Sequence, residues 1–193
     1  MKTVLLSVLV LLLASCIPLF DNPLPAVPEN MTDPALSGTW VGTGGSSNSQ
    51  VSFLPRQSGW MDVVYLTSLN GASQDNGLDC QLYEGYGSVV NSHRILCLRM
   101  RKKDFEDHHE KPETYSYIYA RYRIEDGHEL AIQLFSESAI KEAIENKSLA
   151  GVVNGGSGSN DVCVTASSDE MEKFIGGQDL ESLLSNEPLM FRR

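Results

Sequence analysis

YSYIYARYRIEDGHELAIQLF, residues 115–135, has the clearest strand pattern in this chain. Its first half alternates tyrosine and arginine with smaller or apolar residues, and alternation resumes after Asp126-Gly127. A period of two is typical of a β-strand with two different faces, and Asp-Gly is a strong hairpin-turn signal. Residues 115–135 therefore predict two antiparallel strands joined by a tight turn.

The same pattern of short strands and turns continues on both sides of this stretch. The candidate strands are 38–43, 50–54, 60–68, 78–86, 93–101, 115–124, 129–135, 161–165 and 189–192. One helix is predicted at 136–147, a second begins at the capping box of Ser167 and Glu170, and 178–184 is a further short helical candidate. Closely spaced strands and turns favour a β-sandwich or a barrel over alternating helix and strand.

Composition and charge limit the classes of function. The chain has 193 residues, of which 41% are hydrophobic, and a net charge of −10 at pH 7. This length fits one globular domain that can bury its own core. The acidity argues against binding to nucleic acid, which depends on Lys and Arg, and against a basic patch for anionic membranes.

The first sixteen residues predict a location for the protein. Lys2 is followed by an apolar run from Val4 to Ala14, too short to cross a bilayer, and then by Cys16. Leu13-Ala14-Ser15-Cys16 resembles the lipobox of bacterial lipoproteins. The resemblance implies removal of signal peptide 1–15 and lipid on Cys16, so that the membrane is a partner. Ile17 after the cysteine favours the outer membrane if the source is Gram-negative. A plain secreted protein is the alternative.

Residues 17–34 contain five of the eight prolines and no Lys, Arg or Gly. Such a composition favours extended polyproline II, which would reach roughly 50 Å at about 3.1 Å per residue. We therefore predict that 16–34 is a lipidated tether and that 35–193 is a single β-rich globular domain.

Gly38-Thr39-Trp40 opens the first predicted strand. This pattern resembles the first signature of the lipocalin and wider calycin group, although their Thr-Asp-Tyr signature is absent. The resemblance implies an antiparallel barrel that Gly38 helps to bend and Trp40 closes at one end, with Arg192 or Arg193 over the indole ring. The fold prediction is therefore a mainly β, calycin-like barrel with two or three short helices. A β-sandwich or an open α+β sheet is the alternative.

Three cysteines follow Cys16. A hairpin turning between Ser88 and Val89 would place Cys80 opposite Cys97, and an oxidising compartment would permit a disulfide between them. The alternatives are three buried free thiols, or Cys163 as the partner of one of the other two.

No catalytic motif is found, so a non-enzyme is predicted, with no cofactor and no metal site. The most ligand-like cluster, residues 107–110, contains two adjacent histidines that would point in opposite directions on an extended chain. Tyr115, Tyr117, Tyr119 and Arg121 share one strand face. This face is either a covered structural face or a recognition surface, since Tyr and Arg are enriched where proteins bind partners.

The leading hypothesis is a lipid-anchored envelope protein whose barrel binds a small apolar or amphipathic ligand. The second is a protein-interaction module with a filled barrel, such as a barrel-type inhibitor or an accessory in envelope assembly. An unrecognised periplasmic hydrolase is the third. A barrel filled by side chains would argue against ligand carriage.

Overall fold

A computed structural model describes residues 17–26, 32–46, 48–68, 78–100, 116–154 and 162–193. The strands in these ranges are β1 (Leu19–Phe20), β2 (Gly38–Thr43), β3 (Ser49–Pro55), β4 (Met61–Ser68), β5 (Leu78–Val90), β6 (His93–Met100), β7 (Tyr117–Glu125), β8 (Glu129–Leu134), β9 (Gly151–Val153), β10 (Val162–Val164) and β11 (Leu189–Arg192). The α-helices are α1 (Glu137–Glu145) and α2 (Ser168–Gly177), and the 3₁₀ turns are Gly44–Ser46 and Leu180–Leu183. None of the helices described is long and apolar enough to cross a bilayer.

Eight of the strands close into a barrel. Their order around the ring is β2, β3, β4, β5, β6, β7, β8 and β11, and β11 pairs with β2 to close it. All neighbouring pairs in the ring are antiparallel. Closure pairs both sides of every strand in the ring. The predicted antiparallel barrel is therefore confirmed, and the sandwich and the open sheet are excluded.

One end of the barrel interior is packed with side chains. The strand periodicity predicts inward positions at every second residue, and on β7 these include Ala120 and Tyr122. The buried interior residues are Leu36, Trp40, Val51, Phe53, Met61, Val63, Leu96, Ala120, Tyr122, Leu130, Ile132 and Phe191. An eight-stranded barrel is just wide enough to be filled by side chains or to hold one small ligand.

A second apolar core lies outside the barrel wall, where α1, α2 and β10 pack against β5, β6 and β7. Ile140 of α1 and Met171 of α2 are both fully buried in it. Helix α1 begins after Ser136, and α2 begins after Ser167 with the predicted capping box to Glu170. The two predicted α-helices are confirmed, and each turns an apolar stripe toward the barrel.

Residues 17–26 form a strap against the outside of the barrel. Phe20 pairs with Tyr117 of β7, while β1 also runs parallel to β10. The Phe20 ring stacks on Tyr119 with 4.0 Å between ring centroids. Phe20 and Leu24 are each only 1% exposed. The prediction of a free tether is therefore wrong for the strap, which belongs to the globular domain.

Hydrogen bonds explain how a proline-rich segment can pack in this way. Proline removes backbone donors but leaves the carbonyl acceptors. The hydroxyl of Tyr119 donates to the carbonyl of Asn22, and the hydroxyl of Tyr86 donates to the carbonyl of Leu24. Ser88 donates to the carbonyl of Pro25 at 2.9 Å. Side chains of the barrel wall thus satisfy a backbone that has no complete strand partner of its own.

The hairpin between β5 and β6 turns at Asn91-Ser92, three residues later than predicted. Both residues have positive φ angles, 47° and 68°, as a two-residue type I′ turn requires. Cys97 consequently lies opposite Tyr86, and Cys80 lies opposite Leu66 of β4. The predicted Cys80–Cys97 disulfide is wrong.

Two glycines inside β5 explain why the turn was predicted too early. Glycine is a common turn residue, but Gly85 and Gly87 both lie inside β5. A Cβ atom added to Gly85 would lie 2.4 Å from the carbonyl oxygen of Cys97. Glycine is therefore needed at Gly85 for close approach of the next strand and does not end β5.

Candidate functional site

The closed end of the barrel is built around Trp40. Its indole is fully buried, and its Nε1 donates to the carbonyl of Leu36 at 2.8 Å. The guanidinium carbon of Arg193, rather than that of Arg192, lies 4.5 Å from the ring centroid of Trp40. Gly38 has a φ of +110°, which other residues rarely adopt. These residues hold the closed end together and leave no accessible indole surface for a ligand.

The tyrosine face lies under the strap and the second apolar core. Tyr117 is 7% exposed, Tyr119 is 1% exposed and Arg121 is 4% exposed, whereas Tyr115 lies outside the described residues. Burial strongly raises the pKa of Tyr119, whose hydroxyl is used by the strap. The three described side chains therefore form a covered face and not an accessible recognition surface.

Arg121 instead ties the segment after α2 to the barrel wall. Its guanidinium donates to Glu181 at 2.9 Å and to the side-chain oxygen of Gln133 at 2.6 Å. The hydrogen bond from Arg121 is the main reason that the pKa of Glu181 lies below its ordinary value. The Arg121–Glu181 pair joins β7 to the 3₁₀ turn at Leu180–Leu183 and has a structural role.

The three described cysteines are free thiols. Burial raises the pKa of Cys97 to about 12, and burial together with Asp21 raises the pKa of Cys163 to about 11. The Cys163 thiol donates to the Asp21 carboxylate at 3.3 Å. Because the thiolate is the nucleophile, neither of these two cysteines is activated for covalent chemistry.

The open end of the barrel has a different interior. It is the end where β4 finishes, β5 starts and β6 finishes, near Ser68, Leu78 and Met100. The apolar side chains that face inward here are only partly buried, although they pack on the interior core: Tyr65, Tyr83, Leu98 and Leu134. The core is therefore continued at this end by an apolar lining that solvent can reach.

A row of polar groups lies beside this lining on the inner face of β5. The Tyr83 hydroxyl donates to Gln81 Oε1 at 2.7 Å, and Gln81 Nε2 donates to Asp79 Oδ2 at 3.1 Å. Tyr65 of β4 lies directly opposite Gln81. Burial, with Asp79 and Tyr65 nearby, raises the pKa of Tyr83. Two phenols, one amide and one carboxylate thus converge at the open end.

Sequence reasoning did not identify this group. The signal was present, because Asp79, Gln81 and Tyr83 occupy alternate positions of a predicted strand and must share a face. Polar and apolar residues are mixed on both faces of residues 78–86, which prevented the inner face from being assigned. The register with β4 was also needed to bring in Tyr65.

A second concave surface lies outside the barrel, between the end of α1, β9 and α2. This groove has a volume of about 850 Å³. Its floor includes Ile144, Leu149 and Phe174, and its lining includes Lys147 and Lys173. The groove is wide open, and none of the polar side chains that line it is buried, so none is held in place to orient a ligand.

Besides Tyr115, the predicted signal peptide 1–15, Cys16 and the histidine cluster at 107–110 lie outside the described residues. Within the described ranges, no group of three or more His, Cys, Asp or Glu side chains is placed to hold a metal ion. Comparison with known proteins identifies no matching family model, no matching curated protein and no matching solved structure.

Proposed function

We propose that this protein is a non-enzymatic, lipid-anchored envelope lipoprotein whose barrel binds a small apolar or amphipathic ligand at its open end. The observation that carries the ligand proposal is the partly exposed apolar lining above a packed core. Binding sites of this kind combine an apolar surface with a few convergent polar groups. The polar row from Asp79 to Tyr83 supplies such groups.

The packed closed end limits the size of the ligand. At the closed end the side chains are almost completely buried, with at most 1% exposure for Trp40, Phe53 and Met61. Side chains therefore fill this half of the interior. The ligand therefore occupies the mouth of the barrel and does not pass through its length. This excludes a deep carrier cavity among the described residues and favours a ligand with one apolar segment.

The anchor is proposed from the lipobox and tested at Cys16. Radiolabelled palmitate should enter the wild-type protein and not Cys16→Ser, since acylation needs the thiol. A single acyl chain binds membranes only marginally, so the expected mass increase corresponds to several chains. Label that persists in Cys16→Ser would exclude attachment at this residue. The outer membrane is the proposed location in a Gram-negative source.

Ligand binding is tested with N-phenyl-1-naphthylamine, a neutral apolar dye that fluoresces when it leaves water. Wild-type protein should enhance its fluorescence saturably, and Tyr83→Ala should weaken binding because it removes part of the lining. Val41→Ala is the matched control, because Val41 is 53% exposed on the outer face of β2. Equal binding by all three proteins would place the dye elsewhere and contradict the proposal.

A protein-interaction module is the second candidate. The buried interior residues of the closed half favour it, because a filled barrel needs no ligand for stability. This candidate predicts no saturable dye binding and predicts a stoichiometric envelope protein in a cross-linked pull-down. The dye titration therefore separates the two candidates.

A further inference from the structure

The charge of the open end indicates which ligands it accepts. Asp79 faces inward with Gln81 and Tyr83, since the three are joined by hydrogen bonds at alternate positions. Among the described residues, Asp79 has no salt-bridge partner, and only one of its two carboxylate oxygens accepts a hydrogen bond. One negatively charged acceptor is thus available beside the apolar lining.

No positive charge balances this carboxylate among the described inward positions of the open end. These positions are Ser49, Tyr65, Thr67, Asp79, Gln81, Tyr83, Leu98, Met100, Ile118, Leu134 and Leu189. The chain as a whole carries −10. A ligand carboxylate or sulfate would therefore be repelled both locally and at long range, whereas a cation would be attracted.

The two phenol rings also favour a positively charged ligand. Tyr65 and Tyr83 lie on adjacent strands, and Tyr65 faces Gln81, which lies between Tyr83 and Asp79 on β5. The face of an aromatic ring carries partial negative charge and attracts organic ammonium groups. Both rings remain partly exposed, so that a ligand can reach them.

We propose that the open end binds a cationic amphiphile, with its ammonium group between Asp79 and the rings of Tyr65 and Tyr83 and its apolar segment on Leu98 and Leu134. This inference rests on the proposed function, because it names the ligand class for the same end of the barrel. It extends that function by assigning a charge to the ligand and a role to each polar residue.

The experiment compares three probes that share one alkyl chain: octyltrimethylammonium, 1-octanol and octanoate. Binding to the full mature lipoprotein in nanodiscs is measured by isothermal titration calorimetry, with protein-free nanodiscs as the blank. The expected order of affinity is ammonium, then alcohol, then carboxylate, with about tenfold between the first and last. Added salt should narrow this difference.

Variants then test which residues cause the preference for the ammonium probe. Asp79→Asn should reduce the affinity for the ammonium probe much more than the affinity for octanol, and so remove most of the cationic preference. Tyr65→Leu should likewise reduce the affinity for the ammonium probe more than that for octanol. Glu172→Gln is the control, because Glu172 is an exposed carboxylate on α2, away from the barrel interior. Circular dichroism confirms that each variant is folded.

The outcomes separate this inference from the proposed function. If octanol or octanoate binds as tightly as the ammonium probe, ligand binding stands and the cationic preference is wrong. The cationic preference is also misassigned if Asp79→Asn keeps it, or if Glu172→Gln loses it to the same extent. If none of the three probes binds, both the proposed function and this inference are overturned.

Discussion

The strap offers the most direct test of the fold, through the substitution Phe20→Ala. Phe20 is 1% exposed, stacks on Tyr119 at 4.0 Å and meets the edge of Phe135 at 6.0 Å. Removing a buried phenylalanine side chain costs about 3 to 5 kcal/mol of unfolding free energy, including the aromatic contacts. A side chain on a free tether would contribute almost nothing.

The measurement is urea unfolding of wild type, Phe20→Ala and the control Leu54→Ala, followed by far-ultraviolet circular dichroism. Leu54 is apolar but 49% exposed, so its truncation should change the unfolding free energy by about 0.5 kcal/mol or less. Phe20→Ala should lower the urea concentration at the unfolding midpoint, with little change in the slope of unfolding free energy against urea concentration. For a protein of this size, the melting temperature should fall by roughly 6 to 20 °C.

The reasoning is refuted if Phe20→Ala and Leu54→Ala have equal effects. That result would mean that residues 17–26 are a tether in solution and that the apolar core on the outer wall is stable without them. Phe20→Ala could also lower the unfolding free energy strongly and reduce its dependence on urea concentration. That result would indicate that the strap detaches before the barrel unfolds, because less surface would then be exposed in the main transition.

Two further predictions concern the thiols and the Arg121–Glu181 pair. Iodoacetamide should label Cys80 in the folded, unreduced protein, label the partly buried Cys163 more slowly, and label the buried Cys97 only after unfolding, with no reductant needed. Thiols that appear only after reduction would show that a disulfide is present. Arg121 lowers the pKa of Glu181 from 4.5, so the ion pair stabilises the fold above that pH, and this contribution is lost as pH falls through the lowered pKa. Urea unfolding of Glu181→Gln should therefore show a deficit relative to wild type at pH 7 that vanishes in acid, and a deficit equal at pH 7 and pH 3 would contradict this assignment.

The barrel itself was largely predictable because its information is local. Strand β2 at Gly38–Thr43 and strand β11 at Leu189–Arg192 have the bounds that the sequence predicts. Alternation, turn residues and helix caps each act over a few residues, so they can be read without knowing the tertiary contacts. Closure was expected from the resemblance of Gly38-Thr39-Trp40 to the calycin signature.

The strap could not be predicted because its partners are distant in sequence. The Tyr119 hydroxyl that binds the Asn22 carbonyl lies 97 residues away. A segment with several prolines has the composition of a solvated linker unless such partners exist. The candidate site could not be predicted for a related reason, since the pairing of Tyr65 with Gln81 depends on the register between two strands.

The strap also changes what an anchor on Cys16 would do to the open end. Phe20 pairs with Tyr117, the first residue of β7, and β7 starts at the open end of the barrel. Cys16 precedes Phe20 by four residues, which span at most about 14 Å when fully extended. A lipid on Cys16 would therefore hold the open end close to the headgroups, whereas a tether of roughly 50 Å would leave its position undefined. An amphiphile that leaves the bilayer would then meet the apolar lining of the barrel within a short distance of the membrane surface. The same proximity predicts that inserting ten Gly/Ser residues between Cys16 and Ile17 would preserve dye affinity in solution and slow transfer of the dye from vesicles.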